Sequence, residues 1–203
     1  MIGGVIYGLN NNKSDMGEVG RDYNEGLINS ERCLQAVLYK VLREKLSSHG
    51  FDIFVEPVIE YYKEGGQPKC IPDIFVCKGC EVVALCEIKF APKRYPDLRG
   101  DVEKIRAIDK ESKEKNEKGG EKYYVRRDPR TGGWLDPIFF ISDRTSYIIA
   151  VVDRSDSEAV NVSCVRALIA DNQSLLKKTF LLAGRVSVTD VKEPEFVVEN
   201  LSE

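Results

Sequence analysis

Residues 70–90 read CIPDIFVCKGCEVVALCEIKF: two β-rich runs, Ile71 to Cys77 and Glu81 to Phe90, on either side of Lys78-Gly79. β-Branched and apolar residues dominate both runs and a glycine sits between them, which predicts a hairpin. The second run, EVVALCEIKF, is the most apolar in the chain and reads as a central strand. Asp73 heads the first run, and Glu87 and Lys89 close the second. Side chains alternate along a strand, so Glu87 and Lys89 share one face and Ile88 packs into the other. Asp73 joins them only if it lies opposite an odd-numbered position such as Leu85. A two-residue Lys78-Gly79 turn sets it across from Ala84, on the wrong face, so a three-residue loop or a bulge beside Asp73 is expected.

Two acids and a lysine on so apolar a hairpin have a chemical use. Hydrolysis of a phosphodiester brings water onto an already anionic phosphorus, which calls for a hard cation, oxygen ligands to hold it and a positive group near the nucleophile. Asp73 and Glu87 suit the ligands, and Lys89 suits the positive group. A salt-bridged cluster at a sheet edge is the plainer account, but charges on a buried strand are expensive without a function.

Upstream, residues 1–28 are rich in Gly, Asn and Asp and read as a loose arm. Ser30 then caps a predicted amphipathic helix whose apolar positions, Cys33 to Leu46, recur at helical spacing up to His49-Gly50. His49, the only histidine, reads as a helix-end residue, which makes histidine-based catalysis improbable. Glu31 lies one turn before Leu34 and Gln35, at the start of the apolar stripe. It is a further acid of the site, a first-turn glutamate favoured by the helix dipole, or a simple solvated residue. FDIFVEPVIEYY follows as a strand broken at Pro57.

Downstream, Asp97 to about Lys118 carries Leu98, Val102, Ile105 and Ile108 as a narrow apolar stripe, a helix with a wet outer face. YYVRRDPRTGGWLDPIFFIS predicts two strands about a Pro/Gly-rich turn, an insertion over residues 119–143. Tyr147 to Val152 reads as a short buried strand, Val165 to Leu182 as helix, and Arg185 to Val188 as an edge strand. Residues 191–203 read as an acidic tail. The expected organisation is one domain over residues 29–190, an α/β sandwich with a mixed central sheet flanked by helices.

This arrangement resembles the PD-(D/E)XK nuclease superfamily over roughly residues 30–153. The match lies in Pro72-Asp73 and Glu87-Ile88-Lys89 on a hairpin, with a capped helix before it and an amphipathic helix after it. The resemblance implies a restriction-endonuclease-like fold with an α-β-β-β-α-β core. It also implies metal-dependent cleavage of nucleic acid, DNA favoured over RNA, with Mg2+ or Mn2+ as cofactor. Asp73, Glu87 and Lys89 become the catalytic residues, and Glu31 matches the glutamate that many members place on the first helix near the metal. The superfamily also contains inactive members that bind nucleic acid or serve in assemblies. Cleavage of both strands of a duplex needs two sites, so a homodimer is compatible with this reading.

Charge and cysteine content set the remaining bounds. Residues 89–130 hold 14 Lys and Arg against 9 Asp and Glu, a local +5 in a chain of net charge −3. Lys93, Arg94, Arg99 and Lys104 follow the hairpin and are candidates for phosphate contact, although a solvated helix face explains each alone. Six cysteines are too sparse for a secreted disulfide framework, and the N-terminal residues form no signal-like apolar run, so a cytoplasmic protein without a membrane span is expected. Cys77-Lys-Gly-Cys80 has zinc-knuckle spacing, but Cys86 lies on the central strand on the face opposite Glu87, while Cys70 and Cys77 flank the other strand at distant ends, and zinc is not expected.

Overall fold

The computed structural model describes residues 19, 22–23, 25–57, 59–60, 69–91, 96–116, 123–127, 130, 134–154, 158–186 and 195–200. Helix α1, Glu31–Leu46, starts where Ser30 Oγ accepts the Cys33 amide, and a 3-10 turn, Ser47–His49, ends it at Gly50 in the left-handed region. Strand β1, Phe51–Val55, follows, then the short pair β2, Ile59–Glu60, and β3, Lys69–Cys70. The hairpin is β4, Ile74–Lys78, and β5, Glu81–Phe90, and it leads into helix α2, Arg99–Asn116. Strands β6, Tyr123–Arg127, and β7, Trp134–Arg154, come next. Helices α3, Glu158–Ile169, and α4, Gln173–Leu176, precede β8, Thr179–Val186, and β9, Glu195–Asn200.

These strands build an open sheet in the order β1-β4-β5-β7-β8-β9, with β6 added alongside β7. The three inner strands β5, β7 and β8 are parallel, while β1, β4, β6 and β9 join antiparallel. Parallel neighbours need a crossover, and α2 and α3 with α4 supply the two crossovers. The fold is therefore α/β, a mixed sheet flanked by helices. Among the described residues no helix is long and apolar enough to cross a membrane.

Alternation along the strands commits the two faces to different cores. Phe75, Leu85, Tyr147, Ile149, Val151 and Leu181 pack with the α2 stripe of Leu98, Val102, Ile105 and Ile108. Ile74, Val76, Ala84, Cys86, Ile88 and Ala150 pack with Leu34, Leu38 and Val41 of α1. Cys77 and Cys86 fall into opposite cores, and burial pushes the Cys77 thiol up to about 12.

Four expectations are corrected. Val19, Tyr23 and Ile28, in the segment expected to be a loose arm, pack into the α1 core, with the Tyr23 and Phe90 rings 6.1 Å apart. The residues from Trp134 to Arg154 form one strand, in which five positions of β7 span two of β5 between Ile141 and Ser146. Ser142 and Thr145 absorb this irregularity, because the Thr145 hydroxyl donates to the Val82 carbonyl at 2.6 Å and accepts the Ser142 amide at 3.1 Å. Thr179 to Leu182 are strand rather than helix: Asn172 caps only a four-residue helix, and Thr179 begins the parallel pairing with Tyr147. Ser187 and Val188 of the expected edge strand lie outside the described residues. Glu195–Asn200, within the expected tail, form β9 and pair with β8.

A buried ion pair ties α2 to the approach to β8. Lys178 Nζ lies 2.7 Å from Oδ1 of Asp109, a residue with no exposed surface, and 5.6 Å from the centre of the Tyr147 ring. Removing one partner of such a pair leaves a buried charge poorly compensated. Lys178→Met is expected to cost about 3 kcal/mol in urea unfolding, with the double change Lys178→Met/Asp109→Asn costing clearly less.

Candidate functional site

Strand β5 contains one residue more than β4 needs. Val76 lies opposite Ala84 but Cys77 lies opposite Val82, so Val83 bulges out of the ladder. The turn is Gly79-Cys80, with Gly79 at a φ of 59°, one residue beyond the Lys78-Gly79 turn considered from sequence. A two-residue turn at Gly79-Cys80 without the bulge sets Asp73 opposite Cys86. With it, Ile74 pairs with Cys86, so Asp73 comes opposite Glu87, on the α2 face. The bulge is therefore present and sits at the turn end of the hairpin, not beside Asp73.

Asp73 is held at both ends. Its Oδ2 accepts the Ile88 amide at 2.6 Å, continuing the ladder past the end of β4. Its carbonyl accepts Gln35 Nε2 of α1 at 3.0 Å and the Glu56 amide at 2.9 Å. Glu56 has a φ of +46°, a strained backbone for a non-glycine residue and one that the neighbouring contacts must hold. Pro57 follows it. Burial raises the Asp73 carboxyl above its ordinary range, partly offset by the Ile88 amide and by Lys104.

Glu87 is 1% exposed. Its Oε2 accepts from Lys104 Nζ at 2.6 Å, while Oε1 has no hydrogen-bond partner. Burial is the largest influence on this carboxyl and pushes it up to about 8, against the pull of Lys104 and with help from the neighbouring Asp73 and Asp101 charges. Lys89, on the same strand face, lies 3.4 Å from Asp101 Oδ2. That contact is an ion pair. Asp101 is buried, and its carboxyl is raised by burial against the pull of Lys89 and Lys104.

Asp73, Glu87 and Lys89 thus meet at the carboxyl end of a parallel strand, beside the first turn of α2, the end of an α/β sheet at which ligands ordinarily bind. Glu31 is exposed rather than buried, because burial along α1 begins only at Leu34 and Gln35. Its charge still reaches Asp73 and Asp101, raising both. Arg99 is exposed at the start of α2. Lys93 and Arg94 lie outside the described residues. Lys104, a phosphate candidate by sequence, is directed at Glu87 instead. One member of the site, Asp101, was not singled out from sequence, and Lys104 was singled out only as a phosphate contact. Asp101 carried a signal, standing three residues after Leu98 and four before Ile105 on the apolar stripe of α2.

Among the described residues no three His, Cys, Asp or Glu side chains lie close enough to hold a metal by themselves. A magnesium-type ion, however, is ordinarily held by one or two carboxylates completed by water and phosphate oxygens. The orphaned Glu87 Oε1 beside Asp73 fits that donor set. No family model matches the chain, and neither does any curated protein or solved structure.

The raised Glu87 carboxyl makes stability depend on pH. Its proton is bound more tightly folded than unfolded, so the folded state loses stability as pH rises from 4.5 toward about 8. Glu87→Gln removes that penalty. In thermal melts of metal-free protein at pH 8.5 the variant is expected to gain about 1–2 kcal/mol, or roughly 2–8 °C, and the gain should vanish near pH 5.

Proposed function

We propose that this domain is a metal-dependent nuclease of the PD-(D/E)XK type, with a restriction-endonuclease-like sandwich that hydrolyses phosphodiester bonds in nucleic acid, DNA in preference to RNA. The observation that carries this reading is the buried Glu87 carboxylate with one oxygen unpartnered, on the same strand face as Lys89 and opposite Asp73. A structural glutamate in a core would have both oxygens satisfied or would have been replaced by an apolar residue. The order α1, β1, β4, β5, α2, β7 supports the fold half of the proposal.

Asp73 and Glu87 are the residues that would hold Mg2+ or Mn2+, with Glu31, exposed at the start of α1, as a further acid. When bound, the cation supplies Lewis acidity toward the phosphoryl oxygen and lowers the pKa of its water. Lys89 orients the attacking water and balances charge as it builds on phosphorus. Asp101 keeps the Lys89 ammonium in place from α2. Lys93, Arg94 and Arg99 serve as phosphate contacts that position the strand without reading its sequence. A homodimer would bring two such sites to a duplex.

A second reading, a nuclease-like domain that binds nucleic acid or serves in an assembly without cleaving, is favoured by one observation: Lys104 already neutralises Glu87. Calorimetry with Mn2+, followed by cleavage assays on single- and double-stranded DNA and on RNA, separates the two. The expected result is micromolar-to-millimolar metal binding that is lost in Asp73→Asn and Glu87→Gln. Lys89→Met should retain binding but lose about 100-fold or more in cleavage rate. Metal binding without cleavage of any substrate would favour the second reading, and no binding even with nucleic acid present would remove the first.

A further inference from the structure

Lys104 leaves α2 one turn after Asp101 and reaches across to the end of β5. Its ammonium lies 2.6 Å from Glu87 Oε2 and 3.4 Å from the Ile71 carbonyl oxygen. A carboxylate oxygen and a backbone carbonyl are the ligands that a hard divalent cation also takes. The lysine side chain is 30% exposed against 1% for Glu87, so it has a path to water that its partner lacks. Lys89 is engaged elsewhere, by Asp101. The buried carboxylate is thus neutralised by the one member of the pair that can leave.

We propose that Lys104 is a place-holding cation: in the metal-free protein its ammonium occupies Glu87, and it gives up that carboxylate when a divalent cation binds, turning to the substrate phosphate. The inference rests on the metal reading of the site and adds its regulation. While paired, Lys104 weakens metal binding by competing for Glu87 Oε2. Once released, it adds a positive group where the substrate phosphate lies. Metal and phosphate are then coupled through one side chain, each favouring the other.

The test is Mn2+ calorimetry on the full chain, comparing the wild type with Lys104→Met, which keeps the aliphatic stem, and Lys104→Arg, which keeps a charge able to reach Glu87. Lys104→Met is expected to bind Mn2+ roughly five- to tenfold more tightly, with Lys104→Arg within about twofold of wild type. A parallel readout uses the unaltered protein: Mg2+ should increase acylation of Lys104 by an amine-reactive ester, mapped by mass spectrometry. Binding by Lys104→Met but not by wild type also supports the proposal. Equal or weaker binding by Lys104→Met, equal tightening in Lys104→Arg, or Lys104 acylation unchanged by Mg2+ overturns it and leaves the metal reading standing. Folded protein that binds no Mn2+ in any form, with or without Lys104, overturns both.

Discussion

Strand parity is the constraint on which the remainder of this molecule depends. Both faces of the sheet are committed to buried cores, so a shift of β5 by one residue against β4 would turn Leu85 out of one core and Cys86 out of the other. The register is therefore fixed by packing over the whole hairpin, and Val83 bulges to satisfy it. The same displacement that keeps two apolar faces intact also carries Asp73 opposite Glu87. Core packing and site geometry are solved by one extra residue, which is why the bulge can lie at the turn and still set the position of a carboxylate at the far end of the hairpin.

Given that register, Glu87 is almost fully buried. Its burial is unfavourable in any protonation state unless something shares the cost, and Lys104 does so for one oxygen only. A core that merely needed filling would hold an apolar residue here, as Ile149 does at the paired position of β7. The charged groups are also held by more contacts than a chance salt bridge requires. The Ile88 amide fixes the Asp73 side chain, Gln35 and the strained Glu56 fix its carbonyl, and Asp101 fixes Lys89. Such second contacts are what hold a constellation of charges in one arrangement before any ligand arrives.

Much of this was legible in the sequence where short-range physics decides it. The Ser30 cap, the helical stripe of α1, the apolar strand bearing Glu87 and Lys89, and the stripe of α2 all follow from alternation, helical period and capping. What was not legible depends on contacts distant in sequence. Trp134–Arg154 looked like two strands because Ser142 to Thr145 reads as a polar break, and it continues as one strand because those side chains bond across to Glu81 and Val82. Thr179 to Leu182 looked helical because apolar residues continue on from Leu175 and Leu176, and parallel pairing with β7 overrides that local tendency. In the site, the hairpin residues were readable because they lie on one strand pair. Lys104 was not, since a lysine one residue before Ile105 looks like any solvated charge until the helix is docked against β5.

The charges gathered at this end of the sheet have a consequence for what can bind there together. Asp73, Glu87 and Asp101 face Lys89 and Lys104, and Glu31 adds its charge from the rim. With every group ionised, this inner cluster carries one negative charge more than positive. Its raised carboxyl pKa values mean that the excess is carried with difficulty. A divalent cation reverses the balance to a net +1, which burial again penalises, and a phosphodiester carries the single negative charge that restores neutrality. Electrostatics of this kind disfavours the metal alone and the phosphate alone relative to the two together. If the proposed metal and phosphate do bind here, affinity for either measured in isolation would understate their affinity together.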